Sequence, residues 1–304
     1  MKKAIFTILL FSVIGFVSCK KTQVDINIKQ YDEQQIQEYI KINGLTGMQR
    51  DLTGGDTSGI YYKVILPGSG QFEYTDTLTL VYTLKSVDGL YNKQDTIENH
   101  YQGFVGQINS RGLPLGLQLI IKNVLKKGGS MRVLIPSRLA FGVKGSGSGS
   151  SSTVNARIAG NQCLDYYIHS IADQKAYDDK VLANYLVANN LTGYQMTASG
   201  IYYKVLTPGT GTIPITENNT VNINYTGSLL NGFIFDSYNY SDGKGTGFDV
   251  PAVISGLQEM LKSHTTGATV SAIIPSRLAY GRAAFGTAPV NSNIRFDFTI
   301  ISIR

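Results

Sequence analysis

Two octapeptides, IPSRLAFG at 135–142 and IPSRLAYG at 274–281, differ only at Phe141 against Tyr280. They start 139 residues apart and belong to a longer repeat. YDEQQIQEYIKINGLTG (31–47) matches YDDKVLANYLVANNLTG (177–193), and SGIYYKVILPGSG (58–70) matches SGIYYKVLTPGTG (199–211). LDYYIHSI (164–171) matches FDFTIISI (296–303). The order is the same in both halves, while the offset drifts between 132 and 146 residues. Loops therefore differ while elements persist, and the 304 residues read as two copies of one domain rather than as a solenoid.

Each copy opens with a helical pattern. Ile36, Tyr39 and Ile40 share one face, as do Val181, Leu182, Tyr185 and Leu186. Asp32 with Gln35 reads as a capping box, and Gly44 as a stop. IYYKVI is rich in β-branched and aromatic residues and ends near Pro67-Gly68, a turn pair. TLTLVYTL and TVNINYTG alternate with period two, as half-buried antiparallel strands do. GLQEMLKSHTTG has helical spacing over a short span, and TVSAIIP and IRFDFTIISI read as closing strands. The predicted class is α+β, with β-strands interrupted by one short helix in each copy. The tract GSGSGSSS (145–152) resembles a flexible linker, but the last strand of the first copy lies beyond it. It is therefore a loop, and the boundary falls near residues 173–177.

The first residues read as a targeting segment. MKK is a charged start, AIFTILLFSVIGFV is an apolar run of 14 residues, and Ser18 precedes Cys19. That run is short for a membrane span. The pattern resembles a bacterial lipoprotein signal over residues 1–18, with cleavage before Cys19 and lipidation of its thiol and new amine; an ordinary signal peptide or an uncleaved anchor are the alternatives. Residues 19–29 would then be a tether. Losing residues 1–18 takes Lys plus Arg from 27 to 25 against 21 acidic residues, leaving +4. This charge is dispersed, with no basic stripe for nucleic acid. With Cys19 lipidated only Cys163 remains, so neither an intrachain disulfide nor a cysteine-rich metal site is expected. His100, His169 and His264 lack ligand spacing and read as surface or strand residues.

From about Gly200 to Arg304 the second copy resembles the FKBP family of peptidyl-prolyl cis-trans isomerases. The residues that carry the resemblance are VNINYTGSLLNGFIFDS, FDVPAVISGLQEML, IIPSRLAYG and IRFDFTIIS, in that order and at fitting spacings. The resemblance implies two FKBP-like domains, each a twisted antiparallel sheet wrapped around a short helix, with an additional N-terminal helix per repeat. It implies a proline pocket with catalytic positions at Tyr225, Phe235, Asp236, Tyr280 and Phe296 and substrate-binding positions at Phe248, Val253, Ile254 and Leu257. Leu257 departs from the family's Trp at the pocket floor, and the loop GRAAFGTAPV after Tyr280 also departs. Taken one at a time, Phe248 and Phe296 read as ordinary strand core. The chemistry implied needs no cofactor and no metal.

The first copy keeps the framework and changes the pocket. Aligned through TLTLVYTL and TVNINYTG, Asn92 and Lys93 stand for Phe235 and Asp236, Phe141 for Tyr280, Leu164 for Phe296 and Pro114 for Ile254. Tyr82 and Leu117 keep the places of Tyr225 and Leu257. The expected organisation is a domain with a degenerate pocket over 30–174 and an isomerase domain over 175–304. A weak isomerase with a remodelled pocket is the alternative for the first copy. For the whole chain, the expected function is isomerisation of X–Pro segments of exported proteins, assisting their folding. The expected site of action is the bacterial envelope, on the periplasmic side of the outer membrane through a lipid anchor. A non-catalytic lipoprotein that binds clients or a partner is the alternative. The first domain is expected to hold or position a client, or to stabilise the anchor-proximal part of the protein, so that the second domain alone turns over short peptides as well as the whole chain does.

Overall fold

Asn27 starts the first helix by accepting the Lys29 N–H on its side chain at 3.0 Å. The computed structural model describes residues 27–53, 55–239 and 243–304, so the signal-like segment and Cys19 lie outside the described residues. The helix, α1, spans Ile28–Ile42. Asp32 therefore sits inside it and is not the cap predicted from sequence. Its carboxylate is buried and accepts from Ser137 Oγ at 2.6 Å and Arg138 Nη1 at 3.3 Å. In the second copy, Asp178 accepts from Ser276 Oγ at 2.7 Å, and the Arg277 guanidinium donates to the Ser199 carbonyl at 2.6 Å. The Ser-Arg of each octapeptide is thus a clamp that ties the N-terminal helix to its own sheet. Hydrogen bonds to a buried carboxylate of this kind are worth about 1.5–3 kcal/mol each.

The first sheet comprises β1 (Gln49–Arg50), β2 (Tyr61–Leu66), β3 (Thr77–Ser86), β4 (Asn92–Lys93), β5 (His100–Phe104), β6 (Ser130–Ile135) and β7 (Leu164–Ser170). Their order is β1-β2-β6-β7-β3-β4, with β5 also on β3, and every pairing is antiparallel. The short helix α2 (Leu115–Asn123) lies against its concave face and buries Leu117, Ile120 and Ile121 against Leu78, Leu80, Val133 and Ile168. Each such side chain contributes about 1.5–3 kcal/mol by leaving water.

The second half repeats this plan. Helix α3 (Gln174–Ala188) is capped by Asp173, which accepts the Ala176 N–H at 3.0 Å. The sheet comprises β8 (Gln195–Met196), β9 (Tyr202–Thr207), β10 (Thr220–Leu229), β11 (Ile234–Tyr238), β12 (Thr246–Asp249), β13 (Thr269–Ile274) and β14 (Ile294–Ile303). Their order is β8-β9-β13-β14-β10-β11, with β12 on β10. Helix α4 (Ser255–Lys262) buries Leu257, Met260 and Leu261 against it. At Gly116 and Gly256 an added Cβ would lie 2.4 and 2.5 Å from Ile135 and Ile274 Cγ2. Glycine is what lets each helix approach its sheet so closely. The Gly/Ser tract is a loop within the first copy, because β7 beyond it lies between β6 and β3.

The pairing registers correct two equivalences of the sequence alignment. Leu164 stands opposite Ile135, and Ile294 opposite Ile274. Leu164 therefore corresponds to Ile294, and Tyr166, not Leu164, holds the place of Phe296. The offset at the last strand is 130 residues rather than 132, because sequence similarity aligned two alternating strands one side-chain pair out of step. Lys93, opposite Leu84, does correspond to Asp236, opposite Gly227, but Asn92, opposite Lys85, corresponds to Ile234, opposite Ser228, and Phe235 has no counterpart in the first copy.

The two halves touch. His100 Nδ1 lies 2.6 Å from the Val290 carbonyl, and Asn291 Nδ2 donates to Gln102 Oε1 at 2.7 Å. Ile97 packs on the hydrophobic clusters of the second half. His100 is thus a strand residue, as the sequence suggested, and it also carries a contact between the two halves. Among the described residues no helix is long and apolar enough to cross a membrane.

Candidate active site

Strand β10 alternates, so Val221, Ile223, Tyr225, Gly227 and Leu229 share the buried face. Gly227 stands between Asp236 of β11 on one side and Phe296 of β14 on the other. Its missing side chain makes room for two aromatic rings. A Cβ there would fall 2.9 Å from Phe235 Cζ and 3.2 Å from Phe296 Cε2. The β10–β11 register shifts between Gly227 and Ser228, so Phe235 is the extra residue of a bulge. Bulges re-aim side chains. Here the bulge turns the Phe235 ring over Gly227.

Above Gly227 a cavity of about 150 Å³ opens to solvent, lined by Tyr225, Asp236, Phe248, Ala252, Val253, Ile254, Leu257, Tyr280, Phe285 and Phe296. At roughly 30 Å³ per water this is room for about five waters, the scale of one small side chain. Tyr225 stacks on Phe296 at 5.0 Å between centroids and meets Phe248 edge-on at 5.6 Å. Phe285 stacks on Tyr280 at 4.3 Å, nearly parallel. Leu257 forms the floor, from the first turn of α4.

The polar groups divide their work. Tyr225 donates to Asp236 Oδ2 at 2.8 Å, so this hydroxyl is committed within the protein. Burial and then the Asp236 hydrogen bond push its pKa well above the ordinary value. The Tyr280 hydroxyl has no hydrogen-bond partner among the described residues and faces the cavity. Burial, then the charge of Asp236, raises its pKa to about 12. Tyr280 is thus a neutral donor at any physiological pH, available to an incoming acceptor. No group of three or more His, Cys, Asp or Glu side chains that could hold a metal occurs among the described residues.

Of the nine pocket residues predicted from sequence, eight line the cavity. Phe235 stands behind the wall, edge-on to Tyr280 at 5.9 Å and to Phe285 at 6.3 Å. Three contributors escaped the sequence reading. Phe285 lies in GRAAFGTAPV, and a tight turn in which Phe285 and Ala288 exchange backbone hydrogen bonds places it over Tyr280. Ala252 is a small residue in a helical turn before α4. Gly227 was readable as the one residue without a side chain on the buried face of NINYTG. Cys19, the predicted lipidation site, lies outside the described residues.

The equivalent place in the first domain is filled. Leu84 replaces Gly227, and Tyr166 replaces Phe296, its hydroxyl buried without a hydrogen-bond partner among the described residues. Gly103 stands opposite Leu78 as Phe248 stands opposite Val221, so that aromatic is also gone. The Tyr101 hydroxyl occupies the vacated space, 2.9 Å from where a Gly103 Cβ would be.

Residues 211–301 match the family model described as FKBP-type peptidyl-prolyl cis-trans isomerase, a span within the second half. The chain is 39% identical over 122 residues to the peptidyl-prolyl cis-trans isomerase Mip of Coxiella burnetii, covering 40% of this chain and 52% of that protein. It is 33% identical over 135 residues to a Legionella longbeachae protein named outer membrane protein MIP, covering 43% and 57%. A solved peptidyl-prolyl cis-trans isomerase from Pseudomonas syringae pv. tomato aligns at 30% identity and TM-score 0.37, covering 43% of this chain and 96% of that one. The chain spans about half the length of the curated relatives it matches.

Proposed function

We propose, of a chain that belongs to the FKBP-type peptidyl-prolyl cis-trans isomerase family, that its second domain, within residues 175–304, isomerises X–Pro bonds of other proteins. The observation that carries this reading is the pairing of a proline-sized apolar cavity with one uncommitted donor, Tyr280, at its edge. Rotation about a peptide bond has a barrier of roughly 18–20 kcal/mol because amide resonance must be broken. X–Pro bonds populate both isomers and exchange in tens to hundreds of seconds unaided. The twisted amide is less dipolar than the planar one. An apolar cavity that excludes water therefore disfavours the planar ground state relative to the transition state.

Each side chain then has a role. Phe248, Val253, Ile254, Leu257 and Phe296 surround the proline ring. Tyr225 and Asp236 hold each other and fix the back wall. Phe235 and Phe285 support Tyr280, which donates to a substrate carbonyl and holds the peptide in a turn. The reaction as drawn uses no nucleophile and no cofactor. In the first domain, residues 30–174, Leu84 and Tyr166 occupy the pocket's place, and Lys93, Gly103 and Phe141 stand for Asp236, Phe248 and Tyr280. It acts as a non-catalytic partner of the second.

The proposed setting is the bacterial envelope, with residues 1–18 removed, acyl chains on Cys19, and exported proteins as clients. Attachment through two or more chains is stable. The name outer membrane protein on one relative supports this setting. The test is exchange of a short X–Pro peptide measured without a coupling protease. Phe235→Ala combined with Asp236→Val removes wall and acid together. An unchanged kcat/KM in a folded double variant would rule out this cavity as the active site.

A further inference from the structure

The segment between β4 and β5 of the first domain leaves its own sheet and reaches two loops of the second. The first is the turn before β11. Asn231 accepts the Phe233 N–H on Oδ1 at 3.1 Å, which fixes the orientation of its amide. Its Nδ2 then donates to Asp95 Oδ2 at 2.5 Å and Glu98 Oε1 at 2.6 Å. The second is the end of the loop that begins at Tyr280. The His100 ring lies between the Thr96 carbonyl at 2.8 Å and the Val290 carbonyl at 2.6 Å. Beside it, Asn291 donates to Gln102 at 2.7 Å while its own N–H returns to the Gly281 carbonyl at 2.6 Å. Between these two grips Ile97 packs against Val181 and Leu230, leaving a residual cavity of about 50 Å³.

The two gripped loops are the ones that deliver the pocket's polar groups. Asn231 lies five residues before Asp236, and the Gly281–Asn291 hydrogen bond closes the loop that carries Tyr280 and Phe285. The cavity depends on Asp236 reaching Tyr225 and on Tyr280 facing inward. Neither loop is anchored to the first domain through the chain. Both are anchored to it through Asp95, Ile97, Glu98, His100 and Gln102. In the first domain, whose pocket is filled from within, the segment is free to serve the neighbour.

We infer that the first-domain segment from Asp95 to Gln102 is a positioning brace for the active site of the second domain, so that the site is complete only in the two-domain chain. This rests on the isomerase reading of the second domain. Asp95, Ile97 and Glu98 touch no substrate; they act through the Asn231 turn and the loop after Tyr280. This replaces the sequence-based expectation that the second domain turns over short peptides equally well alone.

The test uses the full chain and leaves the pocket untouched. Asn231→Asp keeps the acceptor for the Phe233 N–H but sets a third carboxylate against Asp95 and Glu98. Coupling between neighbouring groups of this kind corresponds to about a three- to tenfold fall in kcat/KM on a short X–Pro peptide. The fall should lie in kcat more than in KM, with faster amide exchange at 230–236 and 282–293. Adding Asp95→Asn and Glu98→Gln removes the repulsion and should restore both readouts, whereas a general loss of folding would not be restored. Wild-type kcat/KM in Asn231→Asp, or a loss that the added substitutions do not repair, overturns the brace. If the wild-type chain does not isomerise the peptide, the isomerase reading fails on its own. Amide exchange still decides the brace: unchanged exchange in Asn231→Asp overturns it, and accelerated, rescuable exchange supports it.

Discussion

Leu84 and Gly227 occupy the same position of two matching sheets, the first between Lys93 and Tyr166 and the second between Asp236 and Phe296. A side chain fills the first of these sites, and the rings of Phe235 and Phe296 close over the second. Leu84 is buried in the first domain's core. Gly227 leaves its space to the rings of Phe235 and Phe296, the second of which lines the cavity. Leucine against glycine is a larger change at this position than the one hydroxyl by which Phe141 and Tyr280 differ.

Tyr166 carries a consequence of that filling. Its ring takes the place of Phe296, but its hydroxyl is buried with no hydrogen-bond partner among the described residues. An unsatisfied buried hydroxyl costs about 1–3 kcal/mol. Tyr166→Phe should therefore raise the stability of the first domain by about that amount. Urea unfolding followed by a first-domain probe measures it. Equal or lower stability would mean that the hydroxyl finds a partner in solution.

Tyr280→Phe should be mild. The variant loses one hydrogen bond, worth about 0.5–1.5 kcal/mol net, which is a several-fold fall in kcat/KM. Wild type has a second signature. With the Tyr280 pKa raised to about 12, the donor stays protonated through the ordinary tyrosine range near 10.0. The pH profile of kcat/KM should show no tyrosine-like fall at that point, provided the fold survives. A fall centred there in wild type and absent from Tyr280→Phe would contradict the assignment.

His100 gives the domain contact a pH dependence. Burial pushes its pKa below the ordinary 6.5, against the pull of the Val290 and Thr96 carbonyls and of Asp178 and Asp95. The closed contact therefore binds fewer protons than the opened or unfolded state. The stability it contributes is present above 6.5 and is lost as pH falls through the lowered value. Asp178 on α3, whose pKa burial raises, works in the opposite direction, and Tyr177, raised to about 12, stays neutral in this range. The thermal midpoint of His100→Gln should fall less than that of wild type between about pH 7.5 and 5. Parallel falls in the two proteins would show that His100 does not carry the effect.

Most of the framework was legible in the sequence because it is written twice. Period-two strands, the short helices and the loop nature of the Gly/Ser tract follow from residue type and from the order shared by the copies. Eight of the nine predicted pocket residues line one cavity for the same reason. What escaped depends on pairing rather than pattern. The place of Phe296 was assigned to Leu164 instead of Tyr166 because sequence similarity does not count strand register. Asp32 looked like a cap and is a buried anchor, since its partners Ser137 and Arg138 lie more than a hundred residues away. Phe285 and His100 lie in segments where the copies diverge, so repetition gave no guide to either.

The most direct test of the pocket is Gly227→Leu, which installs the first domain's side chain in the second. The added atoms would meet Phe235 and Phe296, and overpacking of this kind costs about 1–3 kcal/mol, about ten- to a hundredfold in rate if borne by the transition state. The measurement is cis–trans exchange of a short X–Pro peptide, followed by magnetisation-exchange NMR, with the full wild-type chain and with the folded variant. The expected result is catalysed exchange with wild type and a loss of about ten- to a hundredfold with Gly227→Leu. Equal catalysis by the two proteins would place the isomerase site somewhere other than this cavity.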